Sequence, residues 1–470
     1  MNMYEDDDYK EDITILLEKY QQLKLYRGKP FISEDEFEIL FNHFNSLGQK
    51  NPAADVIERA LEIYPFASNL LFCKAEVYLQ KRKPKQALEI LDHLLADNGL
   101  VDDFALMKIE CLLELKQTAE VDSIVTKYIE TNEHDDIIEF LFALADIYDD
   151  YNFCQKVYDT LEQILKMEPS NEEALIKICF WTDYTNSGEK SIALHSDIID
   201  EHPYSDLAWF NLGAAYQGLK LYEKAIDAYQ YALVINEQMD LAYRNMADAY
   251  LRLKQYKEAA DSLIKVIELG KAEDVIFEAV GYCYQKLKNL KLARLYYNKS
   301  AQLTPGDCHI YYKIAKTYAT EKRWDNAIEF VQKALDISPA QADYNHFMGE
   351  CKLAQGKTQE AQDSFGLALL KRPKNLSTHE MFVKCLLLNN HYDHAITQLR
   401  MSAVKIGSKP ILFYYMAVAN LGMKNIIAAN DFFIKGFQLN PRLYKRVLND
   451  FSEISVLKDM KDSGEKKIKS

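Results

Sequence analysis

The chain has 470 residues, and its 71 acidic residues outnumber its 56 lysines and arginines, which gives a net charge of −15. Nucleic acids and anionic membranes require a basic protein face, so this charge argues against a general binder of either. Hydrophobic residues make up 48% of the chain, and there are only 16 glycines and 11 prolines. This composition predicts a folded, mainly helical protein and argues against a turn-rich β fold.

The chain begins with an acidic segment, where a secretory signal would have basic residues followed by an apolar run. No run of about 18 apolar residues, the length needed to span a bilayer, occurs anywhere in the sequence. We therefore predict a cytoplasmic protein. Residues 1–12 are predicted to be a disordered acidic tail, and apolar residues at helical spacing predict one amphipathic capping helix from Ile13 to Tyr26. Together these segments form a predicted N-terminal region, residues 1–33.

From residue 34 onwards, similar residues return every 34 residues. Alanine recurs at position 20 of this frame, at Ala53, Ala87, Ala225, Ala259, Ala293, Ala327, Ala361, Ala395 and Ala429. Proline recurs at position 32, at Pro65, Pro169, Pro203, Pro305, Pro339, Pro373 and Pro441. Positions 4, 7, 8 and 11 have the spacing of one helical face, and positions 20, 24 and 27 have the spacing of another. Since the proline ends the second helix, each repeat is predicted to be a helical hairpin that stacks on its neighbours.

The repeat that begins at Asp206 shows the pattern most clearly, with Trp209, Leu212, Gly213, Tyr216, Ala225, Tyr229 and Ala232. This pattern resembles the tetratricopeptide repeat, whose period is about 34 residues. The resemblance implies an all-α, right-handed superhelical solenoid of about twelve helical hairpins with a capping helix at each end. The repeats are predicted over residues 34–443, with units starting near 34, 68, 102, 138, 172, 206, 240, 274, 308, 342, 376 and 410. The third unit is degenerate, and residues 444–470 are predicted to form a C-terminal capping helix and a polar tail.

The sequence lacks the residue patterns that indicate catalysis or a cofactor. His391 and His394 are three residues apart, but no cluster of further ligands surrounds them, and we interpret them as solvated polar residues. The cysteines include no Cys-x-x-Cys pair, so neither a zinc site nor a redox motif is indicated. A glycine-rich phosphate loop and a Gly-x-Ser-x-Gly elbow are also missing. We therefore predict no metal, no cofactor and no enzyme activity.

In the resembled family, the first helix of each pair lines a concave groove that holds a peptide or a partner's helix. The resemblance implies that positions 2, 5, 9, 12 and 13 face this groove. In the early repeats these candidate peptide-binding residues are acidic, namely Glu139, Asp146, Asp149, Asp150, Glu173 and Asp183. Further along they are mixed and aromatic, namely Phe210, Arg244, Asp248, Arg252, Tyr282, Lys286, Tyr312 and Lys316.

The resemblance thus implies a non-catalytic scaffold or adaptor that binds a partner protein in the groove. An acidic half-groove favours a partner with a basic segment, although the carboxylates of so acidic a protein could also serve only to solvate a wet surface. The alternative function is a regulatory or assembly subunit of a larger enzyme complex, and an enzyme in its own right is disfavoured. We expect no nucleic-acid partner and no membrane insertion. The pattern permits a homo-oligomer but does not indicate one.

Overall fold

The computed structural model describes residues 3–25, 30–99 and 101–459. Within those ranges the chain forms 26 α-helices and one 3-10 helix, and it forms no strand. It separates into two compact units, Met1–Ile235 and Asn236–Ser470, which we call unit 1 and unit 2. The prediction of an all-helical fold built from repeats is confirmed.

Unit 1 consists of an N-terminal helix and six successive helical hairpins. Its helices are α1 (Met3–Lys24), α2 (Glu34–Ser46), α3 (Lys50–Ile63), α4 (Ser68–Gln80), α5 (Pro84–Asn98), α6 (Asp102–Glu114), α7 (Thr118–Thr131), α8 (His134–Asp150), α9 (Cys154–Met167), α10 (Glu172–Tyr184), α11 (Gly188–Glu201), α12 (Asp206–Gly218) and α13 (Tyr222–Ile235). Even-numbered helices from α2 onward are the first helices of their hairpins. First helices of neighbouring hairpins contact each other, as α4 contacts α6 and α6 contacts α8.

Unit 2 consists of six further hairpins and a short C-terminal region. Its helices are α14 (Asp240–Arg252), α15 (Tyr256–Glu268), α16 (Asp274–Lys286), α17 (Leu290–Leu303), α18 (Cys308–Thr320), α19 (Trp324–Ile337), α20 (Ala342–Ala354), α21 (Thr358–Lys371), α22 (Leu376–Leu388), α23 (Tyr392–Ile406), α24 (Pro410–Gly422), α25 (Ile426–Leu439) and α26 (Leu443–Asp450), followed by a 3-10 helix (Ser452–Ile454). The same order of first and second helices continues here. In each unit we call the surface formed by the row of first helices the first-helix face.

Several first helices begin at a side chain that caps their free backbone N–H groups. Ser33 accepts a hydrogen bond from the backbone N–H of Glu36, while the Glu36 side chain accepts one from the backbone N–H of Ser33. This reciprocal arrangement is a capping box. Asn171, Ser205 and Asn375 cap α10, α12 and α22 with one side-chain hydrogen bond each. These residues start those four hairpins at the same point of the repeat.

The first helix of each hairpin is followed by a residue with a left-handed backbone, at position 15 of the repeat. The non-glycine residues there have φ between 54° and 63°, and they are Arg82, Lys116, Asn152, Asn186, Lys220, Lys254, Lys288, Lys322, Asn390 and Lys424. Gly48 and Gly356 are at the same position in two other repeats. After α14, the backbone N–H of Gln255 donates to the carbonyl of Tyr250 at 2.9 Å, which is the bond of a Schellman motif. The chain therefore leaves every first helix in the same direction.

Positions 8 and 24 pack directly against each other inside a hairpin. Three hairpins combine glycine with an aromatic ring, in the pairs Gly213 with Tyr229, Gly281 with Tyr297 and Gly349 with Phe365. Four others combine alanine with an aliphatic residue of the same core cluster, in the pairs Ala75 with Leu91, Ala145 with Leu161, Ala247 with Leu263 and Ala315 with Val331. A Cβ on Gly281 would lie 2.6 Å from the Tyr297 ring. A large side chain at position 24 therefore requires a small one, or none, at position 8.

The N-terminal helix is longer than predicted. It begins at Met3, so the prediction that residues 1–12 are disordered was wrong for residues 3–12. Acidic residues at a helix N-terminus interact favourably with the helix dipole, and the apolar pattern used for the prediction does not register that effect. Further along the helix, Leu16 and Tyr20 are buried against the first hairpin.

The C-terminal region covers the last hairpin. Val447, Phe451, Ile454 and Leu457 are buried in one core cluster with residues of α24. This cluster leaves α24 buried on most of its surface. The polar tail predicted for the end of the chain falls on residues 461–470, which lie outside the described residues.

Candidate functional site

The first-helix face of unit 1 carries the acidic candidates. Glu139, Asp146, Asp149 and Asp150 are exposed on α8, and Glu173 is exposed at the start of α10. Asp183 is exposed at the other end of α10, where partial burial still raises the pKa of its carboxyl. All six acidic candidates therefore have carboxylates that solvent or a partner can reach.

Lys177 lies among these carboxylates and was not identified from the sequence. Its Nζ is 2.9 Å from a Glu173 carboxylate oxygen and 3.6 Å from an Asp146 carboxylate oxygen, so it links α10 to α8. The hydrogen bond to Glu173 raises the pKa of Lys177, and the charge of Asp146 adds to this effect. The signal was present as a Glu and a Lys four residues apart on one helix. Two of the predicted acidic residues thus already have an internal counterion.

A second acidic group, formed by Glu76, Glu110, Glu114 and Asp150, brings three first helices together. Burial raises the pKa of Glu110, and the negative charges of Asp150, Glu76 and Glu114 raise it further. The same burial and neighbouring carboxylates raise the pKa of Tyr151 to about 12. The carboxylates of Glu76, Glu114 and Asp150, from α4, α6 and α8, therefore all disfavour the charged form of Glu110.

The acidic group has little internal compensation. Glu76 accepts hydrogen bonds from Asn45 Nδ2 at 2.6 Å and Gln80 Nε2 at 3.0 Å, both neutral amides. Across the part of the chain that the structure describes, Glu110, Glu114 and Asp150 form no salt bridge with a basic side chain. The centre of this face therefore carries negative charge that no basic side chain among the described residues neutralises.

On the first-helix face of unit 2, the charged candidates of α14 are paired internally. Arg244 Nε is 3.1 Å from Asp240, and its Nη2 is 2.9 Å from Glu273. Arg252 Nε is 3.4 Å from Asp248. These four-residue pairs along a helix restrain both arginines, and a ligand would have to compete with the carboxylates that already hold them.

The next two first helices each carry a tyrosine with a lysine four residues later. Lys286 Nζ lies 5.1 Å from the ring centroid of Tyr282, and Lys316 Nζ lies 4.3 Å from that of Tyr312. Both arrangements are cation–π contacts. Elsewhere in the described chain neither lysine forms a salt bridge with a carboxylate. The structure thus brings aromatic rings and free positive charges together in this part of unit 2.

Phe210 differs from the other candidates because it is only 8% exposed. Its ring centroid is 5.7 Å from that of Tyr229, the aromatic partner of Gly213. The absence of a side chain at Gly213 lets the Tyr229 ring enter the space between the helices, where Phe210 packs against it. Phe210 is thus a core residue in this structure, whereas the repeat frame placed it in the groove.

A pocket of ≈ 720 Å³ opens on the first-helix face of unit 2. Of the predicted site residues it includes Lys316, and it adds Trp324, Phe347 and Met381, which were not identified from the sequence. They were missed because their positions in the repeat, 6 and 17, are not groove positions in the resembled family. The pocket combines apolar walls with charged side chains, a composition typical of ligand sites.

The described residues offer no metal centre. They contain no group of three or more His, Cys, Asp and Glu side chains that could hold an ion. His391 and His394 lie with ring centroids 6.1 Å apart. Burial raises the pKa of Cys73, Cys351 and Cys385 to about 12, so these thiols are poor nucleophiles. Over the same residues, no helix is both long and apolar enough to cross a membrane.

Comparison with protein families gives a direct match to the repeat. Models of the tetratricopeptide repeat match residues 207–239, and they match again at 242–270, 276–307 and 309–341. The chain is a tetratricopeptide repeat protein. The four matched segments coincide with α12 to α19, where the characteristic residues of the repeat are most complete.

Several solved structures are similar to parts of this chain. The C-terminal part of a TPR repeat-containing protein from Cytophaga hutchinsonii is 15% identical over 49% of this chain and 95% of that chain, with a TM-score of 0.45. YrrB, described as a TPR protein with an unusual peptide-binding site, is 21% identical over 39% of this chain and 95% of that chain, with a TM-score of 0.35. A chain of the APC/C hetero-tetramer Cut9–Hcn1 is 13% identical over 89% of this chain and 98% of that chain, with a TM-score of 0.31.

These TM-scores are all below 0.5, so the family assignment depends on the repeat models. No curated protein matches this tetratricopeptide repeat protein. The family accounts for the packing of the hairpins and supports a role in protein interaction.

Proposed function

We propose that the protein is a non-catalytic scaffold or adaptor that binds a segment of a partner protein on its first-helix faces. The observation that carries the proposal is the acidic group of unit 1, where Glu110, Glu114 and Asp150 face one another without a basic counterion among the described residues. Like charges held together cost free energy, and a cationic partner would relieve that cost. The proposed ligand of this face is a basic segment.

The predicted binding residues need one revision in the light of the contacts. Asp146 and Glu173 are held by Lys177, so a partner would gain less from them than from Asp149 and Asp150. We therefore place the centre of the proposed contact on α6 and on the C-terminal end of α8. Binding, without turnover, is the proposed mechanism, and the net charge of −15 disfavours nucleic acid as the ligand. The proposed location is the cytoplasm.

The test is affinity purification of partners with three forms of the full chain. One form is wild type, and the second carries Glu114→Gln, Asp149→Asn and Asp150→Asn. The third is a matched control that removes three exposed carboxylates from α11, through Asp197→Asn, Asp200→Asn and Glu201→Gln. We expect a basic partner to be lost from the second form only, and to be released from wild type by salt.

Two outcomes would count against the proposal. If every partner is retained equally by all three forms, then the acidic group is not the binding surface. If the control loses the same partner, then net charge matters and the first-helix face does not. Circular dichroism and thermal unfolding of each form exclude loss of folding as the cause.

A further inference from the structure

The pocket on the first-helix face of unit 2 is built by four successive first helices and one second helix. Its lining residues are Gln285, Lys316, Ala319, Thr320, Trp324, Phe347, Glu350, Cys351, Leu353, Ala354, Met381 and Lys384. Seven of these residues are apolar, and they come from α18 to α22. The pocket therefore offers space for a large apolar side chain between charged residues of neighbouring helices.

The charged residues of the pocket differ in whether another charged or titratable side chain already contacts them. Glu350 is 3.3 Å from His346 Nε2, and Lys384 Nζ is 2.7 Å from Asp450. Lys316 has only the ring of Tyr312 beneath it, and no carboxylate lies within 4.0 Å of its Nζ in the described residues. The pocket thus has one lysine that is free to bind an anion and a second that is already bound to one.

The C-terminal helix α26 already occupies the adjoining part of this face. Arg446 pairs with Glu380 and Asp450 pairs with Lys384, so α26 is tied to two residues on α22 that lie one turn apart. Phe451 adds an edge-to-face contact with the ring of Tyr415, with centroids 6.2 Å apart. The face can therefore hold a helical segment and can bind a carboxylate from it at Lys384.

We propose that the pocket binds an acidic segment of a partner protein, which inserts one apolar side chain between α18 and α22 and places a carboxylate on Lys316. This inference rests on the proposed function and adds the chemistry of the second ligand. The first-helix face of unit 1 selects a basic segment, whereas that of unit 2 selects an acidic one. Asp450 pairs with Lys384, the second lysine of the pocket, and thereby weakens binding of the acidic segment.

The experiment measures fluorescence anisotropy of a labelled peptide against the full chain. The probe is Gly-Ser-Glu-Asp-Glu-Leu-Phe-Glu-Asp-Glu-Ser-Gly with an N-terminal fluorescein. One comparison probe replaces each acidic residue by the neutral amide, Gln for Glu and Asn for Asp, and another replaces Leu-Phe by Ser-Ser. We expect the acidic apolar probe to bind more tightly than either comparison probe, since only it satisfies both the charge and the apolar walls.

Two single charge changes should act in opposite directions. Lys316→Glu should weaken binding of the acidic probe by about tenfold or more, because it replaces an attraction by a repulsion. Asp450→Asn should strengthen binding several-fold, because it frees Lys384. The control is Lys291→Glu, an exposed lysine on α17, which should leave the affinity unchanged. A variant that merely unfolds can weaken binding but cannot strengthen it.

The inference is overturned if the acidic probe fails to bind, if the amide-containing probe binds equally well, or if Lys316→Glu and Lys291→Glu have the same effect. None of these results affects the proposed function, which stands on the partner that depends on Glu114, Asp149 and Asp150. Conversely, retention of all partners by that variant would defeat the acidic-face proposal and leave the peptide result standing.

Discussion

Unit 1 and unit 2 use the same repeat but differ in what their first helices present. In unit 1, Glu110, Glu114 and Asp150 converge without a basic partner among the described residues. In unit 2, Lys286 and Lys316 lie over tyrosine rings beside a partly apolar pocket. The residues that hold the hairpins together are on other positions of the repeat. Surface charge can therefore change along the array while the packing stays the same.

The largest expected effect is on stability and concerns the packing of positions 8 and 24. In unit 2, Gly281 and Tyr297 occupy these positions, whereas other hairpins have alanine and an aliphatic residue there. Gly281→Ala should destabilise unit 2 by about 2 kcal/mol, because the added Cβ would lie 2.6 Å from a fully buried ring. The Tyr297 ring cannot easily move away, since its hydroxyl donates to Gln285 at 2.8 Å. Urea unfolding followed by circular dichroism measures the change.

Two further variants sharpen this result. Gly281→Ala combined with Tyr297→Leu recreates the alanine and leucine pair of other hairpins, so it should recover part of the loss, in a non-additive way. Gly366→Ala is the matched control, because its Cβ would make only an ordinary contact of 3.4 Å with Phe382. That change should be neutral or stabilising through helix propensity. Equal losses at Gly281 and Gly366 would contradict the packing argument.

The second effect concerns pH and a histidine in the core of unit 1. Burial lowers the pKa of His195 to about 4, and the backbone carbonyl of Ser191, 2.8 Å from its Nδ1, opposes this only in part. The folded pKa is below the unfolded value of about 6.5, so the unfolded state binds more protons between these two pKa values. The contribution of neutral His195 to the free energy of unfolding is therefore complete above about pH 6.5, and it is lost as the pH falls toward 4.

We expect unit 1 to lose about 2 kcal/mol between pH 7 and pH 5 from this group. Trp181 and Trp209 report on unit 1 once Trp324 of unit 2 is replaced by Phe, so tryptophan fluorescence during urea unfolding can follow it. The pH dependence should be weaker in His195→Gln, which cannot gain the proton. An unchanged slope in that variant would assign the acid sensitivity to other groups.

A third and smaller effect concerns the acidic group itself. Glu110→Gln should stabilise unit 1 by roughly 0.5 kcal/mol at pH 7, because it removes a half-buried charge that three carboxylates repel. The pKa of Glu110 is raised in the folded state, so the gain is present at neutral pH and disappears as the pH falls through that pKa. Thermal unfolding at pH 7 and pH 4 measures it.

Glu173→Gln is the corresponding control for unit 1. It also removes one carboxylate, but that carboxylate is 2.9 Å from Lys177 Nζ. We therefore expect no gain in stability from this change, or a small loss. A gain as large as that of Glu110→Gln would show that overall charge, and not the local acidic group, determines the stability.

The smallest effect concerns the left-handed residues at position 15, which the two units share. Lys254→Gly should stabilise the fold by about 0.5 kcal/mol, since a lysine pays a steric cost at φ 62° that glycine does not. Asn390→Gly should gain less, because asparagine tolerates this conformation better. Differential scanning calorimetry can rank the two. The expectation fails if both substitutions destabilise equally.

The sequence predicts the hairpins well because their packing repeats. Ala225 and Tyr229 are four residues apart on one helical face, and the same spacing 34 residues later carries the same information. The helix at residues 3–12 was missed because the apolar pattern does not include the dipole interaction of acidic residues. Phe210 was misplaced because its environment depends on the glycine at position 8 of the same helix and the ring on the next one.

The candidate site was less predictable because its decisive contacts join different repeats. Lys177 pairs with Asp146 of the preceding hairpin, and Asp450 pairs with Lys384, which is 66 residues earlier in the sequence. A periodic pattern predicts which positions face outward. It does not predict which side chains of different repeats pair with each other. The charge that a face presents to a ligand is what remains after these pairs form, and this requires the structure.

The left-handed residue at position 15 also bears on how such an array can grow. This residue, which is glycine, asparagine, lysine or arginine, turns the chain from the first helix toward the second. Each 34-residue repeat therefore includes its own turn. A gene duplication of one whole repeat would therefore insert a complete hairpin without any change in its neighbours. A duplication whose length is not a multiple of the repeat would disturb this register between neighbouring hairpins. The conformation of one residue thus favours whole repeats as the unit in which the chain evolves.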